Sequence, residues 1–151
     1  MSKLDFKIIV DASVDTMMSL ACDYENYKSY LPQQVKNIKI VEENENSTIT
    51  EEVLVFSSIL KKELIIQSLH KKTSTNEIFT KILSGPAKDT EIKIQFNTGK
   101  QTEINVDVNL KLSLKAKILE PLIKKQYKLL LTGIFLKMNT GALELQNANS
   151  S

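Results

Sequence analysis

The sequence predicts a single α+β domain in which an antiparallel meander of about seven strands wraps a long C-terminal helix, with two short helices after strand one. Three observations carry that reading. First, Ile104, Val106, Val108, Leu110, Leu112 and Leu114 share one parity, while Glu103, Asn105, Asp107, Asn109, Lys111, Ser113 and Lys115 share the other. Strict alternation of this kind marks a strand with one dry and one wet face. Second, the chain from Val35 to Lys115 is a series of β-branched runs whose separating breaks are too short for parallel crossovers, so successive strands pair antiparallel. Third, a dry sheet face needs a cover, and the long helical pattern from Ile118 to about Asn139 supplies it. Leu119, Leu122, Ile123, Leu130, Ile134 and Met138 form its apolar stripe, with Lys124, Lys125 and Lys128 largely outside it.

Strand one follows from Leu4, Phe6, Ile8 and Val10 alternating with Asp5 and Lys7, Ile9 being the exception. Ser13 then reads as an N-cap, with Asp15 at the positive end of the helix and Val14, Met17, Met18 and Ala21 on its apolar face. A second helical turn, Tyr24 to Tyr30, stops at Leu31-Pro32, because the residue before a proline avoids the helical region. Six further strands are expected near 35–42, 47–56, 60–72, 77–84, 90–97 and 102–115. They are parted by Glu43 to Asn46, Ser57-Ser58, Thr73 to Asn76, Ser84 to Asp89 and Asn97 to Lys100. Pro121 is tolerated near the start of the long helix, and Gly141 suits the position just past its end. The expected domain is residues 1–145, followed by a disordered polar tail, 146–151.

Composition narrows the function classes. With 25% charged and 42% hydrophobic residues in 151, the chain can build one sizeable core. The net charge is +2, and Lys and Glu intersperse along the strands instead of forming a basic stripe, so no nucleic-acid partner is expected. Cys22 is the single cysteine and the N-terminus has no unbroken apolar stretch, from which a cytoplasmic location is expected. Glu120, Lys124, Lys125, Lys128 and Lys137 interrupt the most apolar region, which reads as a core helix and not a membrane span.

The sequence contains no CxxC, HExxH, phosphate-cradling glycine loop or G-x-S-x-G elbow, so no metal, cofactor or nucleophilic triad is expected and no catalytic residue is assigned. His70 shares parity with Leu64, Ile66 and Ser68 and could point into a cavity as an acid, a base or a hydrogen-bond donor. Its strand-end place beside Lys71 and Lys72 favours an exposed rim. Glu51 and Glu52 must face opposite sides of their strand, and a solvated role is expected for both, although an inward one could polarise a ligand carbonyl. Cys22 reads as a small packed hydrophobe, and Tyr24, Tyr27 and Tyr30 as packing for the helical corner and the mouth of a cavity.

Several motifs together carry a resemblance. Asp23-Tyr24-Glu25-Asn26-Tyr27 is followed by Tyr30-Leu31-Pro32, and Ser84-Gly85-Pro86 precedes a strand ending in Phe96. The alternating strand then runs into a helix that begins with Leu119 and Pro121. From about Phe6 to Leu143 the chain resembles the polyketide cyclase/dehydrase and coenzyme Q-binding branch of the START-related helix-grip (SRPBCC) superfamily. It departs at Ala87, where the quinone-binding branch usually has phenylalanine, and in having no Trp.

The resemblance implies a cavity between sheet and helix that binds or carries a hydrophobic small molecule of lipid, quinone or polyketide-like type. Phe56, Leu64, Ile66, Phe79, Phe96, Tyr127, Leu130, Ile134 and Met138 are the candidate lining, and Ala87 and Gly133 favour a hollow core over a filled one. Two alternatives stay open: an enzyme of cyclase or dehydratase type using the same cavity, and a protein-interaction module with a filled core. The first would show as His70, an inward Glu and another polar side chain converging in one cavity.

Overall fold

The computed structural model describes residues 2–56 and 63–150. The element order is β1 (Ser2–Val10), α1 (Val14–Ala21), a 3₁₀ helix (Tyr24–Ser29), β2 (Val35–Glu43), β3 (Thr48–Leu54), β4 (Leu64–Ser74), β5 (Glu77–Ile82), β6 (Glu91–Asn97), β7 (Thr102–Leu110), α2 (Leu114–Lys117) and α3 (Glu120–Ser150). One antiparallel sheet runs β1-β7-β6-β5-β4-β3-β2, so the predicted meander is present and β1 returns beside its last strand. The expected break at Ser57-Ser58 and the first residues of the strand predicted over 60–72 lie outside the described residues.

Local chemistry explains the element ends. The Ser13 hydroxyl accepts from the Thr16 amide at 3.2 Å and starts α1. Asn139, midway along α3, accepts from the Asp11 and Ala12 amides at 3.1 and 2.9 Å and so pins the β1–α1 turn to the long helix. In the β5–β6 turn Gly85 sits at φ +87°, and a Cβ there would stand 2.8 Å from Ile66 Cγ2, so both conformation and space require glycine.

Two expectations fail at element ends. The strand predicted to reach Lys115 stops at Leu110, because Leu110 pairs with Ser2, where β1 begins, and Asn109 pairs with Glu91, where β6 begins. Among the described residues neither partner strand continues beyond that point. The chain turns there, held by Thr90, whose hydroxyl accepts from the Lys111 amide at 2.9 Å, and Ser113 caps α2. Leu114, expected on the dry face, is therefore 84% exposed. The second correction concerns Gly141, which lies inside α3 and not past its end. One interior glycine lowers helix stability by about 1 kcal/mol, which is not enough to stop a helix already docked through Met138 and Ala142.

The core lies between sheet and α3. Leu130, Leu131, Ile134, Phe135, Met138 and Ala142 bury against Ile92, Ile94 and Phe96 of β6 and Ile104, Val106 and Val108 of β7. Phe135, outside the predicted stripe, meets Phe96 edge-on with ring centroids 5.9 Å apart. Among the described residues no helix is long and apolar enough to cross a membrane.

Candidate functional site

The inward face of the sheet has two halves of different chemistry. On β6 and β7 every inward residue from Ile92 to Phe96 and from Ile104 to Leu110 is apolar. On β3, β4 and β5 the inward parity instead carries Thr50, Glu52, Ser68, His70 and Thr80 among Leu54, Leu64, Ile66, Ile78 and Ile82. Register gathers the polar set into one patch, because Thr50 stands opposite Ser68 and His70 opposite Thr80.

His70 is consequently not a rim residue. It is 8% exposed, its Nε2 lies 2.9 Å from the Thr50 hydroxyl, and its Nδ1 lies 2.8 Å from the Thr80 hydroxyl. The Tyr24 ring stacks on it with centroids 4.2 Å apart and planes at 19°. The Thr50 hydroxyl donates to Glu52 Oε1 at 3.1 Å, and Glu52 Oε1 is also 3.6 Å from His70 Nε2. Since Thr50 gives its only proton to the carboxylate, its oxygen accepts from Nε2–H. In the neutral ring Nδ1 then accepts from Thr80. The strand-end position of His70 suggested exposure, but Tyr24, brought over by the 3₁₀ helix, closes that end.

Glu52 is likewise an inward residue, its side chain 15% exposed, whereas Glu51 faces outward and pairs with Lys39 at 3.3 Å. His70, an inward Glu and two threonine hydroxyls therefore do converge in one place.

Two adjoining chambers open between this patch and the helices. The inner one, about 90 Å³, is walled by Tyr24, Tyr27, Glu52, His70, Thr80 and the middle of α3 at Leu130, Leu131 and Ile134. The outer one, about 380 Å³, is walled by Leu54, Phe56, Leu64, Ala87, Leu112 and Ile123, with α2 at its rim. Leu54, Ile66, Ile82 and Tyr127 border both. The Tyr127 pKa is raised by burial and by the charge of Glu52, so its hydroxyl keeps its proton at any ordinary pH. A further hollow of about 680 Å³ near the β6–β7 turn is an open, polar depression walled by Asp11, Asp15, Asn97 and Lys100, and it lacks the enclosure of the other two.

Of the predicted lining, Phe56, Leu64, Ile66 and Tyr127 border the outer chamber, and Ile66, Tyr127, Leu130 and Ile134 the inner one. Three residues border neither chamber. Phe79 stands opposite Lys71 and Lys93 on the outer face of the sheet, Phe96 is packed by Phe135, and Met138 is fully buried further along α3. The roomier space thus sits at the first turns of α3 and not at its middle. Gly133 faces Leu31, 3.0 Å from where a Cβ would be, so it serves packing of the helical corner; Ala87 does border the outer chamber. Tyr24 and Tyr27 line the inner chamber, with the Tyr27 hydroxyl donating to the Ala21 carbonyl, while Tyr30 packs edge-on against Tyr27. Cys22 is half-buried, and burial pushes its thiol pKa up, as suits a packed residue. Glu52, Thr50 and Thr80 were the residues sequence reasoning missed as a group. The available signal was a run of polar residues at inward parity on three successive strands.

Comparison with known proteins agrees with this architecture. Similar solved structures include the protein TTHA0849 from Thermus thermophilus, with TM-score 0.80 and 17% identity over 95% of this chain and 99% of that one. A START superfamily protein from Mycobacterium smegmatis has TM-score 0.76 and 17% identity over 95% and 98%. The Zhui aromatase/cyclase from Streptomyces sp. R1128 has TM-score 0.71 and 11% identity over 91% and 93%. At these identities the likeness is one of fold. A search of curated proteins gives no match. The family model for polyketide cyclase / dehydrase and lipid transport matches residues 10–133, more than half the chain. The chain belongs to the polyketide cyclase / dehydrase and lipid transport family.

Proposed function

We propose that this domain binds or carries an apolar small molecule of lipid, quinone or polyketide-like type, its body in the outer chamber and one end directed at the inner one. The observation that carries the reading is the outer chamber itself. Its volume of about 380 Å³ lies within the roughly 300–1,000 Å³ of small-molecule sites, and its walls are almost wholly apolar. The interaction-module alternative calls for a filled interior, and the chamber is the observation against it. A cytoplasmic carrier suits a chain whose lone Cys22 needs no oxidising compartment.

The test is native mass spectrometry of protein purified without detergent, with melting curves in added apolar compounds. A ligand bound one-to-one at about 100 times its dissociation constant adds roughly 2.7 kcal/mol, several degrees of Tm for a domain of this size. Absence of any bound apolar species and of any Tm shift refutes the reading.

A second reading is catalysis of cyclase or dehydratase type in the same cavity, and the convergence of Glu52, Thr50, His70 and Thr80 favours it. Both nitrogens of His70 are held by threonines, so Glu52 is the group placed to take a proton from a ligand. Turnover of a bound carbonyl compound that falls about a hundredfold or more in Glu52→Gln, with affinity kept, would establish this reading.

A further inference from the structure

The polar patch of the inner chamber is satisfied nearly everywhere by its own members. Thr50 donates to Glu52 Oε1 and is met by His70 Nε2, while His70 Nδ1 is met by Thr80. Three groups are left over. Glu52 Oε2 and the Ser68 and Tyr127 hydroxyls make no hydrogen bond among the described residues, and all three side chains border the inner chamber. The carboxylate oxygen is an acceptor; the Tyr127 phenol keeps its proton, and the Ser68 hydroxyl can donate or accept. Among the described residues no Lys or Arg borders that chamber, and besides Glu52 and the tyrosines its one titratable side chain is His70, already held on both sides.

We propose that the inner chamber selects apolar molecules ending in a hydroxyl, alcohol or phenol, which donates to Glu52 and accepts from Tyr127, and that it rejects those ending in a carboxylate or phosphate. A hydroxyl has one donor and two acceptor lone pairs and so matches Glu52 Oε2 and the Tyr127 hydroxyl at once, with a lone pair left for Ser68. A carboxylate or phosphate would bring negative charge beside Glu52 with no cation to balance it. An alkane end would strip water from these polar groups and replace none of their hydrogen bonds. A chamber of about 90 Å³ admits a small head group and leaves the chain in the larger space. This inference rests on the apolar-ligand reading and names the chemistry of the ligand's inner end.

The test uses three probes of equal chain length, decanol, decanoate and decane, each titrated below its micelle concentration at neutral pH by displacement of an apolar fluorescent dye. Decanol should bind at least about tenfold more tightly than decanoate. Glu52→Gln, which removes the charge and keeps the shape, should collapse that ratio toward one. Tyr127→Phe, whose lost hydroxyl bonds nothing among the described residues, should fold normally and weaken decanol severalfold while leaving decane unchanged. Decanoate binding as tightly as decanol in the wild type overturns the proposal, as does a ratio that Glu52→Gln leaves unchanged. In those cases the dye and decane still bind, and the apolar-ligand reading stands. If neither dye nor any probe binds, both readings fall.

Discussion

The two chambers share four wall residues and are built on neighbouring strands, yet one is tight and carries a polar patch while the other is wide and apolar. The difference lies in what each rests on. At the inner chamber the sheet is fully paired, α3 lies against it through Leu130, Leu131 and Ile134, and Tyr24 stacks on His70, so little space remains. At the outer chamber β7 has lost its partners, the chain leaves the sheet at Leu110, and small residues, Ala87 and Ala116, stand where larger ones would close the gap. Polarity is therefore affordable only where packing holds each group in a hydrogen bond, and volume appears where the sheet runs out.

Mutations that treat the chambers differently put this contrast at risk. The largest effect is expected from His70→Ala, which removes the Tyr24 stack and leaves two buried threonine hydroxyls without their partner, a loss of about 2–4 kcal/mol by denaturant unfolding. A loss below about 0.5 kcal/mol would mean that the patch is solvated and the inner chamber loose.

A matched pair of enlargements comes next. Ile134→Trp, at the tight chamber, should cost about 1–3 kcal/mol by overpacking. Ala87→Phe, at the wide one, should change stability by less than about 1 kcal/mol and abolish binding of apolar probes. Equal costs at both positions would erase the distinction between filled and hollow.

The smallest effect belongs to the solvated outer face, where Asp5 and Asp107 stand directly opposite each other on β1 and β7. Desolvation and the neighbouring Asp5 hold the Asp107 pKa above its ordinary value. A carboxyl with a raised folded pKa binds protons more readily in the native state, so native stability falls as pH rises from the unfolded pKa through the folded one. Asp107→Asn should thus be more stable than wild type by a few tenths of a kcal/mol at neutral pH, and equal to it below the usual carboxylate range. An advantage that persists at low pH would show that charge repulsion is not its source.

The resemblance named the superfamily from motifs spread along the chain, and the family match and the fold bear it out. Alternation and stripe by themselves determined the strand-rich middle, the covering helix, and the inward side of Ile104 to Leu110, because side-chain direction repeats with a short local period along a strand or helix. The same parity put His70 on the side of Leu64 and Ile66, but a single strand cannot say what stands across from it. That depended on register, which placed Thr80 opposite His70 and Thr50 opposite Ser68, and on the Tyr24 ring arriving from a distant helical turn. Hollow against filled was equally beyond local pattern, since Phe96 and Leu64 are the same kind of residue at the same kind of position. Phe96 meets Phe135 and closes, while Leu64 faces the gap left where β7 ends, and only the three-dimensional distance between helix and sheet separates the two.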